Sequence, residues 1–386
     1  MSKSRFRSVA KVKGRRRQAP IKLHDQNENY GPNGVSAYAV STANGTLLIL
    51  ALKKPLRSDR WLRLNMKFAP EQPGASVIPP AGPPNVTVVM PVVALPNEFT
   101  IAPRGVRREL AKIGKCIYCG ATGRQLAEEH FVPEGLGSRL VLLETSCARC
   151  AEKTGNIERT ILQASLSPAR EHLHIRRKKK KRPERKFPVH VTGPDTKDII
   201  SHTSLDEHPS VLFLPYFNQP GLMIDRPIGE DGLQGAFLMT LTALPKPAFP
   251  EFASPAVDTA VFCQFIAKIA HGFAVLTFGI DGFTPLLPKI ILNDYRGDNS
   301  LSWYHLVGGD PSQFAPAEAQ HVLGWGFFQK DGNEYLIISL RLLANTGAPV
   351  YFAVAGTLTP EQSAKAHALA VEGGDTLSSA WSRNSN

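Results

Sequence analysis

Apolar and polar positions along this chain alternate between two periods. Residues 35–40 alternate, and residues 46–52 form a short apolar run behind the turn signal Asn44-Gly45, which together predict a β-hairpin. Residues 211–214 read as a short strand. The period changes to that of a helix beyond Ser254-Pro255, where the serine can cap and the proline fits the first turn. Val261, Phe262, Phe265, Ile266, Ile269 and Ala270 recur at i, i+3 and i+4, so the spacing predicts a helix to about Phe278-Gly279. On it, Cys263 falls on the apolar face as a core residue, and His271 is expected to be packed or capping. Residues 335–343 and 350–355 are strand-like and flank Asn345-Thr346-Gly347, the pattern of an antiparallel hairpin. Thr359-Pro360 opens a last helix to about Val371, before Gly373-Gly374. Residues 69–97 are proline-rich and read as an extended linker, with one edge strand at 86–90. No internal repeat is visible, and no run of 18 apolar residues predicts a membrane-spanning helix.

Composition narrows the class. A chain of 386 residues, 42% hydrophobic and 20% charged, suits a globular protein of two or three domains and not a disordered one. The basic N-terminus has no apolar core behind it, which argues against a secretory signal and for a cytoplasmic protein. Five cysteines are too few for a disulfide scaffold and read better as metal ligands or free thiols.

Charge is distributed unevenly. Residues 201–386 hold 9 Lys/Arg against 17 Asp/Glu, a net of −8, whereas residues 1–200 hold 36 against 16, a net of +20. An anionic partner is therefore expected on the N-terminal half, with nucleic acid ahead of a membrane surface. Residues 1–17 carry eight basic residues and no acid, as a flexible arm would. Arg176, Arg177, Lys178, Lys179, Lys180, Lys181 and Arg182 form a run too densely charged to pack, expected to track phosphates. His172, His174, His190, His202 and His208 lie loosely around it, and their spacing matches no zinc template.

The strongest chemical pattern is Cys116-Ile117-Tyr118-Cys119, then 27 residues, then Cys147-Ala148-Arg149-Cys150. Two C-x2-C knuckles let four thiolates hold one tetrahedral ion, so one structural Zn²⁺ per chain is expected, with Gly120 suiting the tight turn after the first pair. Between the knuckles lies Glu128-Glu129-His130-Phe131-Val132-Pro133, then the loop Gly135-Leu136-Gly137. With the knuckles around it, this order resembles the HNH endonuclease family over residues 114–165.

That resemblance implies a ββα-metal finger: an acid–His pair on a β-hairpin between the knuckles, and a helix starting near Ala151. It implies His130 as the general base that deprotonates water and Glu129 as a ligand of a catalytic Mg²⁺ or Mn²⁺. Two departures stand out. Ala151 follows the last cysteine where the family places an Asn or His ligand, and Arg139 stands nearest the place of the family's middle asparagine. Glu158, one turn beyond Thr154 on the same helix face, is the expected substitute ligand, ahead of Asn156 on another face. Arg149, Lys153 and Arg159 on this helix are expected to join the basic run in binding phosphates.

The resulting expectation is an α+β chain with a zinc-stapled HNH module, a separate α+β C-terminal domain and a basic, partly extended N-terminal region. Its divisions are a basic arm (1–20), a small β-rich region with a Pro-rich linker (21–100), the HNH domain (101–168), a basic linker (169–188) and an accessory domain (189–386). The expected activity is hydrolysis of DNA, most simply double-stranded. The alternatives are a catalytically weak zinc-finger DNA-binding protein and an RNA-cleaving component of a defence or mobile-element assembly. No membrane partner is expected, and the acidic 189–386 region is where a protein partner or a second copy would bind.

Overall fold

A computed structural model describes residues 97–101, 106–123, 125–175, 186–192, 198–208, 211–229, 232–241, 251–253, 257–293, 303–310 and 316–370, with the strand backbones at 35–42, 45–52, 61–62 and 65–67. The basic arm, the proposed strand at 86–90, the basic run 176–182 and Ser254-Pro255 lie outside the described residues. The architecture is mixed α+β, as expected.

The N-terminal hairpin forms from Val35–Thr42 and Gly45–Leu52, with Thr42 opposite Gly45 across the turn. Its second strand pairs antiparallel with Leu233–Thr240, which in turn pairs with Val211–Phe217. Both turn-signalled hairpins therefore exist, but the first is built into a sheet with residues nearly two hundred positions away.

The largest sheet carries the C-terminal hairpin, Asn333–Leu342 with Val350–Leu358. The chain reverses there through Leu343 and Gly347, both in left-handed backbone conformation. His321–Lys330 extends the sheet, and Asn97–Ile101 adds its edge by pairing antiparallel with residues 321–325. The segment just after the proline-rich stretch is thus tied into the C-terminal sheet.

The long helix runs Thr259–Phe278. It starts four residues later than a cap at Ser254 suggests. Val257 and Asp258 are held extended against Leu62 and Trp61, and the Asp258 carboxylate caps the helix by accepting from the amides of Ala260 and Val261. It ends at Gly279 (φ 78°), as the sequence predicts. By length and hydropathy alone this helix could cross a membrane, yet most of it is buried inside the protein. It packs on strands Asn333–Leu342 and Val350–Leu358, on Leu287–Leu292, and on helix Ala148–Thr160 of the cysteine module. Phe262 stands edge-on to Tyr351 at 5.3 Å, and Phe273 lies against both Phe99 and Phe131. One continuous apolar core joins Ile117, Phe131 and Leu142 to Phe265, Ile337 and Val354. Cys263 is part of it, as expected.

Candidate metal centre and acid–histidine site

The cysteine module is a three-stranded sheet and a helix. Leu126–Glu129 pairs antiparallel with Leu140–Cys147, which pairs in parallel with Arg108–Lys112. Helix Ala148–Thr160 follows without a break, three residues earlier than the sequence suggests, because Cys147 ends the strand and begins the helix. The first knuckle turns tightly: the Gly120 amide donates to the Cys116 carbonyl at 2.8 Å, and Gly120 adopts φ 73°. The Ile117 amide bonds the Thr145 carbonyl at 2.9 Å, which sets this knuckle beside the second.

The Sγ atoms of Cys116, Cys119, Cys147 and Cys150 all lie within 4.8 Å of one another, and those of Cys119 and Cys147 are 3.7 Å apart. Four thiolates around a tetrahedral ion at about 2.3 Å would be about 3.8 Å apart, so the quartet fits a metal ion such as zinc. Its chemistry agrees. Main-chain bonding at the start of the helix, chiefly from Cys150, holds the Cys147 thiol down to about 7, while burial pushes Cys116 and Cys150 up. Three of the four are buried. Thiols so crowded are best satisfied as thiolates on a cation.

Glu129 ends its strand and His130 follows it, half-buried. Burial lowers the His130 pKa, so its ring is neutral at neutral pH. Glu158 lies two turns along the helix from Cys150, and its carboxylate does reach the neighbourhood of Glu129. They meet on a third group. The Lys268 ammonium, fully buried on the long helix, is 2.6 Å from Glu129 Oε1 and 2.5 Å from Glu158 Oε1. It also donates to the carbonyl of His130 and lies 3.5 Å from that of Phe131. Burial opposes its charge, but the two carboxylates outweigh that and raise its pKa above the ordinary value. Tyr118 is buried beside this cluster, and burial followed by the charges of Glu129 and Glu158 keeps its phenol protonated.

The long helix meets the module along one face. Lys268 holds the acid pair and the His130 main chain. His271 Nε2 donates to the Ile117 carbonyl at 2.7 Å, inside the first knuckle. A Cβ on Gly272 would fall 2.5 Å from Phe131 Cβ, so only glycine lets the helix come this close. His271 is therefore packed, as expected, and it is the knuckle that it packs against.

Other expected site residues are placed differently. Thr154 is buried, and its hydroxyl is spent on the Cys150 carbonyl at 3.1 Å. Asn156 is exposed, its amide oxygen accepting from Arg159 at 2.7 Å, so the structure does not bring it to Glu129. Lys153 donates to the Leu292 carbonyl at 2.7 Å, which ties the module helix to Leu287–Leu292 and uses the ammonium structurally. Arg149 and Arg159 are exposed. Lys268, Gln320 and His321 carry no local motif and are missed by sequence reasoning. Gln320 and His321 both bond the Leu136 carbonyl, at 2.8 Å each, in the loop that follows His130.

Two of these contacts make the module acid-sensitive. Burial holds His271 and His321 down to about 4, against about 6.5 in an unfolded chain. His321 donates from Nε2, while its Nδ1 accepts the Leu343 amide at 3.2 Å, so a second proton would set two donors against each other. Between about pH 6.5 and 4 the unfolded chain binds the extra protons, so stability is full above this window and falls through it. Each histidine is expected to contribute about 3 kcal/mol to that loss. Urea midpoints measured from pH 7 to pH 4 check this, and a variant carrying His271→Gln and His321→Gln should show a flatter profile.

No family model matches this chain, and comparison with curated proteins and with solved structures gave no match.

Proposed function

We propose that this protein is an HNH-type endonuclease whose catalytic finger is the cysteine module, stapled by one Zn²⁺ at Cys116, Cys119, Cys147 and Cys150. The observation that carries the reading is the setting of Glu129-His130: it stands at the end of a hairpin strand between two cysteine knuckles whose four thiols could hold one metal ion, with Glu158 delivered beside it by the helix that starts at the second. A neutral, half-exposed His130 is suited to take a proton from water attacking a phosphodiester. DNA is the substrate that the +20 net charge of residues 1–200 favours, helped by the exposed Arg149 and Arg159. Cysteines spaced as a metal quartet, too few for a disulfide scaffold, suit the cytoplasm.

A Mg²⁺ or Mn²⁺ between Glu129 and Glu158 does not fit these side chains as they stand. One oxygen of each carboxylate is already on the Lys268 ammonium, and a divalent cation beside it would meet direct repulsion. This, together with Ala151 after the last cysteine, favours a second reading in which the module binds DNA through its basic groups and does not cut it.

Plasmid cleavage separates the two, run with Mg²⁺, with Mn²⁺ and with neither, alongside a gel shift. The nuclease reading expects cutting that falls by about 10² to 10⁴-fold in His130→Ala while DNA binding persists. Salt-sensitive binding by the wild type without cutting establishes the second reading. A panel of double-stranded DNA, single-stranded DNA and RNA assigns the substrate.

A further inference from the structure

The acid pair has a counter-charge that belongs to the chain itself. Lys268 is fully buried in the middle of a helix whose neighbouring positions, Phe265, Ile266, Ala267 and Ile269, are core residues. It is therefore held in place and not a swinging surface lysine. Its three N–H donors are matched by Glu129 Oε1, Glu158 Oε1 and the His130 carbonyl. A hard divalent ion at this point would take the same kind of oxygen donors. The side chain and the ion are therefore alternatives for one position.

We propose that Lys268 is a built-in replacement for the divalent ion: its ammonium stands where that ion would stand between Glu129 and Glu158, and the wild-type protein binds no divalent ion there. The charge comes from the long helix, 138 positions beyond His130, so the site is complete only when the C-terminal region is docked on the module. Through the His130 and Phe131 carbonyls the same ammonium fixes the main chain that carries the His130 ring, which makes Lys268 a positioning residue. The consequence for catalysis rests on the nuclease reading, but the exchange of ammonium for ion does not.

The test is Mn²⁺ binding to zinc-loaded full-length protein, followed by the loss of the free-ion electron paramagnetic resonance signal, with thermal melts in parallel. Wild type and Lys268→Arg are expected to bind no Mn²⁺ at about 1 mM free ion, a concentration that fills weak carboxylate sites. Lys268→Ala is expected to gain one Mn²⁺ per chain, and Lys268→Ala with Glu158→Gln to lose it again. The melting midpoint of Lys268→Ala should rise with Mn²⁺, because an ion that binds only the folded state stabilises it. If that variant folds only when refolded with Mn²⁺, the result is the same exchange read through stability. Stoichiometric Mn²⁺ on the wild type that disappears in Glu158→Gln overturns the proposal, as does a folded Lys268→Ala that takes up none. These outcomes are independent of cutting. A wild type that neither binds Mn²⁺ nor cuts keeps the inference and loses the nuclease reading, and one that does both keeps the nuclease reading and loses the inference.

Discussion

Stripping the metal from the four-cysteine site, or replacing Cys150 by serine, is expected to unfold the cysteine module while the C-terminal sheet stays folded. Cys116, Cys147 and Cys150 are buried, so without an ion they leave crowded thiols in the interior with nothing to gather them. Cys147 is also the residue at which strand Leu140–Cys147 passes into helix Ala148–Thr160, so loosening it frees both elements. Structural zinc supplies about 10–16 kcal/mol of binding free energy in isolated finger peptides, where it is nearly all of the folding energy. Here the loss is expected to be several kcal/mol, because Phe131, Leu136 and the long helix still hold the module by apolar contact and by the His271 and His321 bonds. Hydrogen exchange gives the check. Amides across residues 108–160 should lose protection on metal removal, and those of Asn333–Leu342 and Val350–Leu358 should keep it. Equal loss in both regions would mean that the core joining them unfolds as one unit.

Lys268→Ala is expected to cost about 3–5 kcal/mol of stability, the usual penalty for removing one partner of a buried ion pair. The reason lies in what stays behind. Glu129 is buried with only 8% of its side chain exposed, Glu158 is 24% exposed, and both would face each other with no cation between them. Removing one of those charges as well should relieve part of the repulsion, so Lys268→Ala combined with Glu158→Gln is expected to be more stable than Lys268→Ala alone. Urea unfolding of the wild type, both single variants and the double variant measures this coupling. Additive effects would mean that the three groups do not act as one cluster. The same residue links stability to the candidate chemistry, since the Lys268 ammonium holds the His130 carbonyl.

The sequence by itself determined what depends on neighbours along the chain. Two C-x2-C knuckles need only a local turn each, so Cys116, Cys119, Cys147 and Cys150 were legible without any fold as one cluster that could hold a metal ion. The hairpins at Asn44-Gly45 and at Asn345-Thr346-Gly347 were legible because turn residues fix the register of the strands beside them. The long helix was legible from its 3.6 periodicity, although its true cap, Asp258, was not, because pairing with Trp61 keeps residues 257–258 extended. Tertiary structure alone decided which partner reaches Glu129 and Glu158. A lysine inside an apolar helix pattern looks like an exception to it until the fold sets two carboxylates from another part of the chain against it. Strand His321–Lys330 and its bonds to Leu136 were equally hidden, since sheet neighbours that are far apart in sequence leave no periodic trace of each other. Local patterns state which groups are available. Burial decides which of them must meet, because a charge taken out of water has to find its counter-charge wherever the chain can bring it.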